Sequence, residues 1–157
     1  MTATADVAGL LEYATTRLQD RTAGLTDHEW EWQPVADDAR VTIRWRLDHL
    51  AETLGDDRNR EWLGEDPTGA PPIAPAASAD AAVTAVVDAA ARFATLVRGL
   101  DADGAAPIGP AAGPYADDSR LSFVLHVVDE LVHHAAEAAL LRDLYAARTA
   151  APDGSSA

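Results

Sequence analysis

Thirteen consecutive residues, Leu125 to Glu137, carry three histidines and three acids inside what reads as one long helix. At about 100° per residue, His126, Glu130, His134 and Glu137 fall close to one line along such a helix. Leu141 continues that line and Val127, Leu131 and Leu144 flank it, so the polar groups share the arc expected to face a core. Imidazoles and carboxylates are costly to bury unless they pair with each other or bind a cation. A helical bundle with a metal or proton-transfer site inside it is the arrangement this stretch points to.

The rest of the chain supplies the partners such a helix needs. A first helix is expected from about Thr4 to Arg21, with Val7, Leu10, Leu11, Ala14 and Leu18 at helical spacing and Gly24 at the exit. Thr26-Asp27-His28-Glu29 reads as a capping box opening a short turn, followed by Trp30 and Trp32 as packing or interface anchors and stopped by Pro34. A second helix starts near Thr42 and runs at least to Leu54, with a bend expected at Gly55 before Trp62. Ile43, Leu47, Leu50 and Leu54 form its apolar stripe. Trp45, expected in the core, and His49 form a second line on nearly the opposite side, so Leu47 and His49 cannot both aim at one bundle axis. Asp56, Asp57 and Glu61 read as a solvated helix end.

Gly64 to Ala77, rich in Pro, Gly and Ala, reads as a crossover loop. The third helix, about Ser78 to Gly99, places Val83, Val86, Val87, Ala90, Phe93, Leu96 and Val97 on one face. Asp101 to Asp118 is a second irregular loop, and the fourth helix runs from about Ser119 to Arg148. The expectation is therefore an all-α four-helix bundle over residues 1–149, one domain, with a disordered tail at 150–157. Hydrophobic residues make up 48% of the chain, much of it alanine, and aromatics only 6%, which suits close helix packing better than a β-sandwich.

With 12 basic and 26 acidic residues the formal net charge is −14. Such a chain repels nucleic-acid backbones and anionic membranes, and Arg44, Arg46, Arg58 and Arg60 are interleaved with acids instead of forming a patch. There is no basic-then-apolar leader and no apolar run long enough to span a bilayer, so a cytoplasmic location, with neither nucleic-acid nor membrane partners, is expected. Zero cysteines exclude disulfides, zinc ribbons and a protein thiol nucleophile.

Metal sites in bundles combine a pair at i,i+3 or i,i+4 on one helix with ligands from a facing helix. Glu130 and His134 are four apart, as are His126 and Glu130 and also His133 and Glu137; His134 and Glu137 are three apart. His49 is the histidine the second helix offers, while His28 is expected at the surface. His133 and His134 point about 100° apart, so both cannot easily hold one ion. The competing reading is an ordinary hydrogen-bonded His–Glu network that fixes helix register. Carboxylate-histidine di-iron chemistry is disfavoured, because Glu130 and His133 give one Glu-x-x-His pair and no second helix offers another.

Two segments resemble the DinB superfamily, also called DinB/YfiT-like. One is Leu25-Thr26-Asp27-His28-Glu29-Trp30-Glu31-Trp32-Gln33-Pro34 followed by Trp45-Arg46-Leu47-Asp48-His49-Leu50-Ala51. The other comprises Asp129-Glu130-Leu131-Val132-His133-His134-Ala135-Ala136-Glu137 and Leu140-Leu141-Arg142-Asp143-Leu144-Tyr145, which is similar to an actinobacterial subgroup in which Ala135 is glycine. The resemblance implies an up-down-down-up bundle, often a homodimer, with a histidine triad of one residue from the second helix and two, spaced H-x-x-x-H, from the fourth. His49 matches the first position and His134 the last, whereas Glu130 stands where the second histidine would be.

That family includes S-transferases and isomerases that depend on small thiols such as mycothiol, and metal-binding domains of sulfoxide synthases. The implied reading is a divalent ion (Zn, Ni, Fe or Mn) on His49, Glu130 and His134, acting on a small-molecule substrate with a low-molecular-weight thiol. Asp48 or Glu137 would move protons and Arg142 would pair with a substrate carboxylate. Glu137 is also a potential ligand in place of Glu130, or an acceptor that orients a histidine. The alternative is a non-catalytic bundle binding a small ligand or protein partner.

Overall fold

The structure, a computed structural model, describes residues 2–100 and 104–150. Four long helices form the body: α1 (Ala3–Thr22), α3 (Ile43–Gly55), α5 (Ala79–Gly99) and α6 (Arg120–Ala150), with single-turn helices α2 (Asp27–Glu31) and α4 (Arg58–Trp62) in the connections. The chain is all-α. Each long helix starts with the side-chain acceptor that an orphan helix N–H needs. Thr2, Thr42 and Ser78 cap α1, α3 and α5, and Ser119 Oγ accepts the Ser122 N–H. The capping box of α2 is fully formed, Thr26 receiving the Glu29 N–H while Glu29 Oε2 takes the Thr26 N–H at 2.8 Å.

Helix directions follow from which residues meet. Arg21 near the end of α1 bonds Asp143 and the Ala139 carbonyl in the second half of α6, so these two run parallel. Arg98 at the end of α5 pairs with Glu12 in the first half of α1, and α3 offers Arg46 to Glu137 but His49 to Glu130. Both α5 and α3 therefore run against α1 and α6, which gives the up-down-down-up bundle. Around it the order is α1, α5, α3, α6, with α3 and α5 sharing the largest contact. Leu11, Leu18, Leu47, Leu50, Leu54, Val86, Phe93, Val97, Val124 and Leu131 are fully buried between them. Each such side chain contributes about 1.5–3 kcal/mol by leaving water.

Because α3 and α5 run the same way, the chain must return the length of the bundle between them. Residues 63–78 do so as an extended strap held by three carboxylates. Asp57 accepts from Thr68 N and Gly69 N, Asp48 from Ala76 N, and Asp27 from Ala79 N. Asp57 is thus a clamp on the strap and not merely part of a solvated end. The bend expected at Gly55 is a clean break at Asp56–Asp57. The buried Asn59 amide bonds the Thr53 and Leu54 carbonyls that α3 leaves open.

Leu10 and Leu144, expected on inner faces, are 46% and 49% exposed. The expected tail lies outside the described residues except Ala150, which ends α6; the start of the second irregular loop, residues 101–103, lies outside them too. No helix among the described residues is long and apolar enough to cross a membrane.

Candidate metal centre

On α6 the axis of the bundle is taken by Val124, Val127, Val128, Leu131, Ala138 and Leu141. The polar line lies beside that stripe, on the edge facing α3, and runs from exposed His126 through half-buried Glu130 to buried His134. This resolves the conflict over Leu47 and His49: Leu47 is wholly buried in the core, while His49 stands at its rim with 31% of its side chain exposed.

On α3 the cap at Thr42 fixes the first turn through Trp45 N, and His49 follows one turn later. The indole of Trp45 stacks on the His49 imidazole at 4.8 Å and 12°, so Trp45 is a half-buried platform and not core. So held, His49 places Nε2 3.2 Å from Glu130 Oε2. His134 comes up on the other side of the same oxygen, Nε2 to Oε2 3.3 Å, with its ring nearly perpendicular to that of His49. Three ligand atoms from two helices lie within 4.8 Å of one another.

Behind them sits a second set of contacts. His134 Nδ1 is 2.6 Å from Glu137 Oε2, and because a carboxylate only accepts, the proton of that bond is on Nδ1. The other ring nitrogen, Nε2, faces Glu130 and His49. Glu137 also meets His133 Nε2 at 3.2 Å and Arg46 Nε at 3.0 Å, although the Arg46 N–H is not aimed at it, and the pair is held by charge. Arg46 is largely buried, its side chain 15% exposed, and its guanidinium lies 4.9 Å from the Trp45 ring. Reading the arginines as dispersed surface charge missed it; its place three residues before His49, on the same helix face, was the available signal.

Two imidazole nitrogens and a carboxylate oxygen within 4.8 Å of one another suit a single ion, and two of their three separations match a tetrahedral centre. Ligand atoms about 2.0–2.1 Å from a tetrahedral ion stand roughly 3.3 Å apart, and the two contacts made by Glu130 Oε2 are at 3.2 and 3.3 Å. Burial pushes the Glu130 carboxyl upward, but the hydrogen bond from His49 and the charges of His134, His126 and His49 outweigh it and hold the group below the usual glutamate range. The ionised, ligating form is therefore favoured. A second group, His133, His134 and Glu137, also converges. It would use the other nitrogen of His134, and His133 is 60% exposed, so it competes with the first group for one histidine instead of adding to it.

The remaining expected residues are elsewhere. Asp48 is engaged by Ala76 N on the strap. Arg142 donates to Glu29 Oε1 and to the Arg21 carbonyl, tying α6 to α2 and the end of α1. Neither joins the cluster, and Glu137 stands behind His134. His28 is exposed as expected, Trp30 is buried under Arg44, and Trp32 packs edge-on against Tyr145.

A parallel first and last helix, two antiparallel ones between them, and a His–Glu–His group across the second and fourth long helices define an all-α bundle able to hold a metal ion. The chain belongs to the DinB superfamily, whose sequence model matches residues 10–138. Its fold is similar to that of a conserved protein from Enterococcus faecalis known from a crystal structure. The TM-score is 0.64 at 17% identity, over 94% of this chain and 99% of that one. No curated protein matches the chain.

Proposed function

We propose that His49, Glu130 and His134 bind one divalent metal ion and that the chain is a metal-dependent enzyme acting on a small molecule, with a low-molecular-weight thiol as co-substrate in a transfer or isomerisation. One observation carries the metal reading: Glu130 Oε2 lies within 3.3 Å of imidazole nitrogens from two different helices, while His134 is already oriented from behind. An ion held there would supply Lewis-acid chemistry, lowering the pKa of a thiol or water. The chain's own residues do the positioning. Glu137 fixes the tautomer of His134, Trp45 covers one face of His49, and Arg46 offsets the carboxylate charge. Imidazole and carboxylate donors suit Zn, Ni, Fe or Mn.

The thiol part is supported by the family's small-thiol-dependent relatives, and in a chain without cysteine the reacting sulfur would come from a co-substrate. The competing reading, a register-fixing network, is favoured by the His49–Glu130 contact, which already meets hydrogen-bond geometry.

The test is turnover of an activated aryl chloride with a small thiol by tag-free protein loaded with Zn, Ni or Mn. Metal-dependent product that falls about 100-fold or more in Glu130→Gln is expected, since a lost Lewis-acid contact removes several kcal/mol. Equal turnover with and without metal would refute the metal-dependent reading. Metal-dependent hydrolysis that ignores the thiol would refute the thiol part alone.

A further inference from the structure

Below the cluster, toward the start of α6, a pocket of about 490 Å³ opens between α4, the 3-10 helix at Pro110–Tyr115 and the first turns of α6. That volume is in the range of small-molecule sites. Its walls are Trp62, Tyr115, Phe123 and Ile108, and its polar rim carries Arg58, Asp118, Ser122 and His126. Trp62 packs edge-on against Phe123 at 4.8 Å, while Tyr115, 57% exposed, stands 6.4 Å from it as an outer wall.

The walls are held in place. Ile108 N and Gly109 N bond the Asp118 and Ala116 carbonyls, and Arg120 N bonds Ala106 O, so the loop closes on itself across a short ladder. Gly113, at φ +55° and ψ −116°, supplies the kink that brings Tyr115 round. An aromatic slot so braced, with its polar side chains Arg58, Asp118, Ser122 and His126 at the edge, suits a flat apolar body that carries a polar group at one end.

Two features set what else the ligand carries. The Arg58 guanidinium lies 5.1 Å from the Trp62 ring, so one indole face is already covered by a cation, and a cationic ligand would have to displace it. The acid paired with Arg58 is half-buried Asp56, 3.4 Å from Nε, a loose pair that leaves the rest of the guanidinium open to a second carboxylate. His126 lines the pocket and stands one turn, about 6 Å, from Glu130 along α6. His126 is thus the wall of the pocket that stands nearest the cluster along α6.

We propose that this pocket is the substrate subsite of the centre, binding a planar aromatic body through Trp62, Tyr115 and Phe123 and its carboxylate through Arg58. The assignment to the centre rests on the metal reading above; the recognition of an aromatic carboxylate does not. The substrate class is accordingly a small aromatic acid whose far end reaches past His126 to Glu130.

Calorimetric titration with 2-naphthoate and 2-naphthamide tests the recognition. The carboxylate is expected to bind about tenfold more tightly than the amide, the value of one charge-assisted contact. Arg58→Gln removes that preference, and Tyr115→Ser, at an exposed wall that the fold does not need, weakens both ligands. Equal affinity for acid and amide, a preference that survives Arg58→Gln, or no binding of either would overturn the proposal. His49→Ala separates the two readings, since it removes metal but leaves naphthoate affinity unchanged. Protein loaded with Co(II) is then expected to relax the naphthoate protons in NMR spectra; normal relaxation would overturn the assignment of the pocket to the centre.

Discussion

His134 Nδ1 lies 2.6 Å from Glu137 Oε2, one turn further along α6, and the same ring turns Nε2 toward Glu130 and His49. One acid therefore fixes which nitrogen of the histidine faces the cluster. A carboxylate in this position also raises the basicity of the ligand it holds.

Glu137→Gln keeps an acceptor near Nδ1 but removes the charge that Arg46 balances. Metal affinity is expected to fall about 10–100-fold with the helical content unchanged. Isothermal titration of the variant with Zn checks this, and an affinity equal to that of the parent protein would show that Glu137 does not orient the ligand.

His133 distinguishes the two overlapping groups. Its ring meets the outer oxygen of Glu137 and does not reach Glu130 within salt-bridge distance. His133→Ala is expected to leave Zn affinity within about twofold, since an exposed pair of this kind contributes little. A large loss would move the ion to the His133, His134 and Glu137 side.

Glu29 gives the fold a pH dependence. Burial raises its carboxyl, but the Thr26 backbone N–H, the Arg142 guanidinium, the Thr26 hydroxyl and the Arg142 charge together hold it below the usual glutamate range. A folded-state value below the unfolded one means stability that is present above the unfolded pKa and is lost as pH falls through the folded value. Urea midpoints should drop between about pH 5 and pH 3, and Glu29→Gln should flatten that slope while lowering the plateau near neutrality. An unchanged slope would show that the Glu29–Arg142 tie between α2 and α6 carries no linkage.

Much of this architecture was legible because it is local. The capping box at Thr26, the helix starts near Thr42 and Ser78, the stripe Ile43, Leu47, Leu50, Leu54 and the line His126, Glu130, His134 all follow from signals within one segment. What escaped depends on meetings between segments. Arg46 became part of the centre only because α3 runs against α6, and Asp57 became a clamp only because the strap passes over it. Leu144 pointed outward because the 31 residues of α6 outrun the 20 of α1, whose Arg21 is already level with Asp143. Spacing names a face; it does not say how far the neighbour reaches.

The strap makes a separate prediction. Asp57→Ala releases Thr68 and Gly69 from their shared carboxylate. Limited proteolysis should then cut between residues 64 and 77 several-fold faster than in the parent protein, as expected of a connection that has lost its ties. Equal cutting rates would mean that Asp48 and Asp27 hold the strap without it.

Gly64 turns the chain out of α4 at φ +89°, and a Cβ there would run into the Arg120 guanidinium. Gly64→Ala is expected to cost about 1–2 kcal/mol from the left-handed backbone alone, read as a lower midpoint in chemical denaturation. No shift would show that the turn can relax.

The central claim is that His49 crosses from α3 to share an ion with Glu130 and His134. Equilibrium dialysis of tag-free protein against Zn, with the bound metal counted by mass spectrometry, tests it most directly when the parent and His49→Ala are run side by side. One ion per chain is expected in the parent, and an affinity at least about 100-fold weaker in a His49→Ala protein that keeps its helical circular dichroism, because only two ligands of the centre remain. Zinc retained equally by both proteins, or bound by neither, would contradict it.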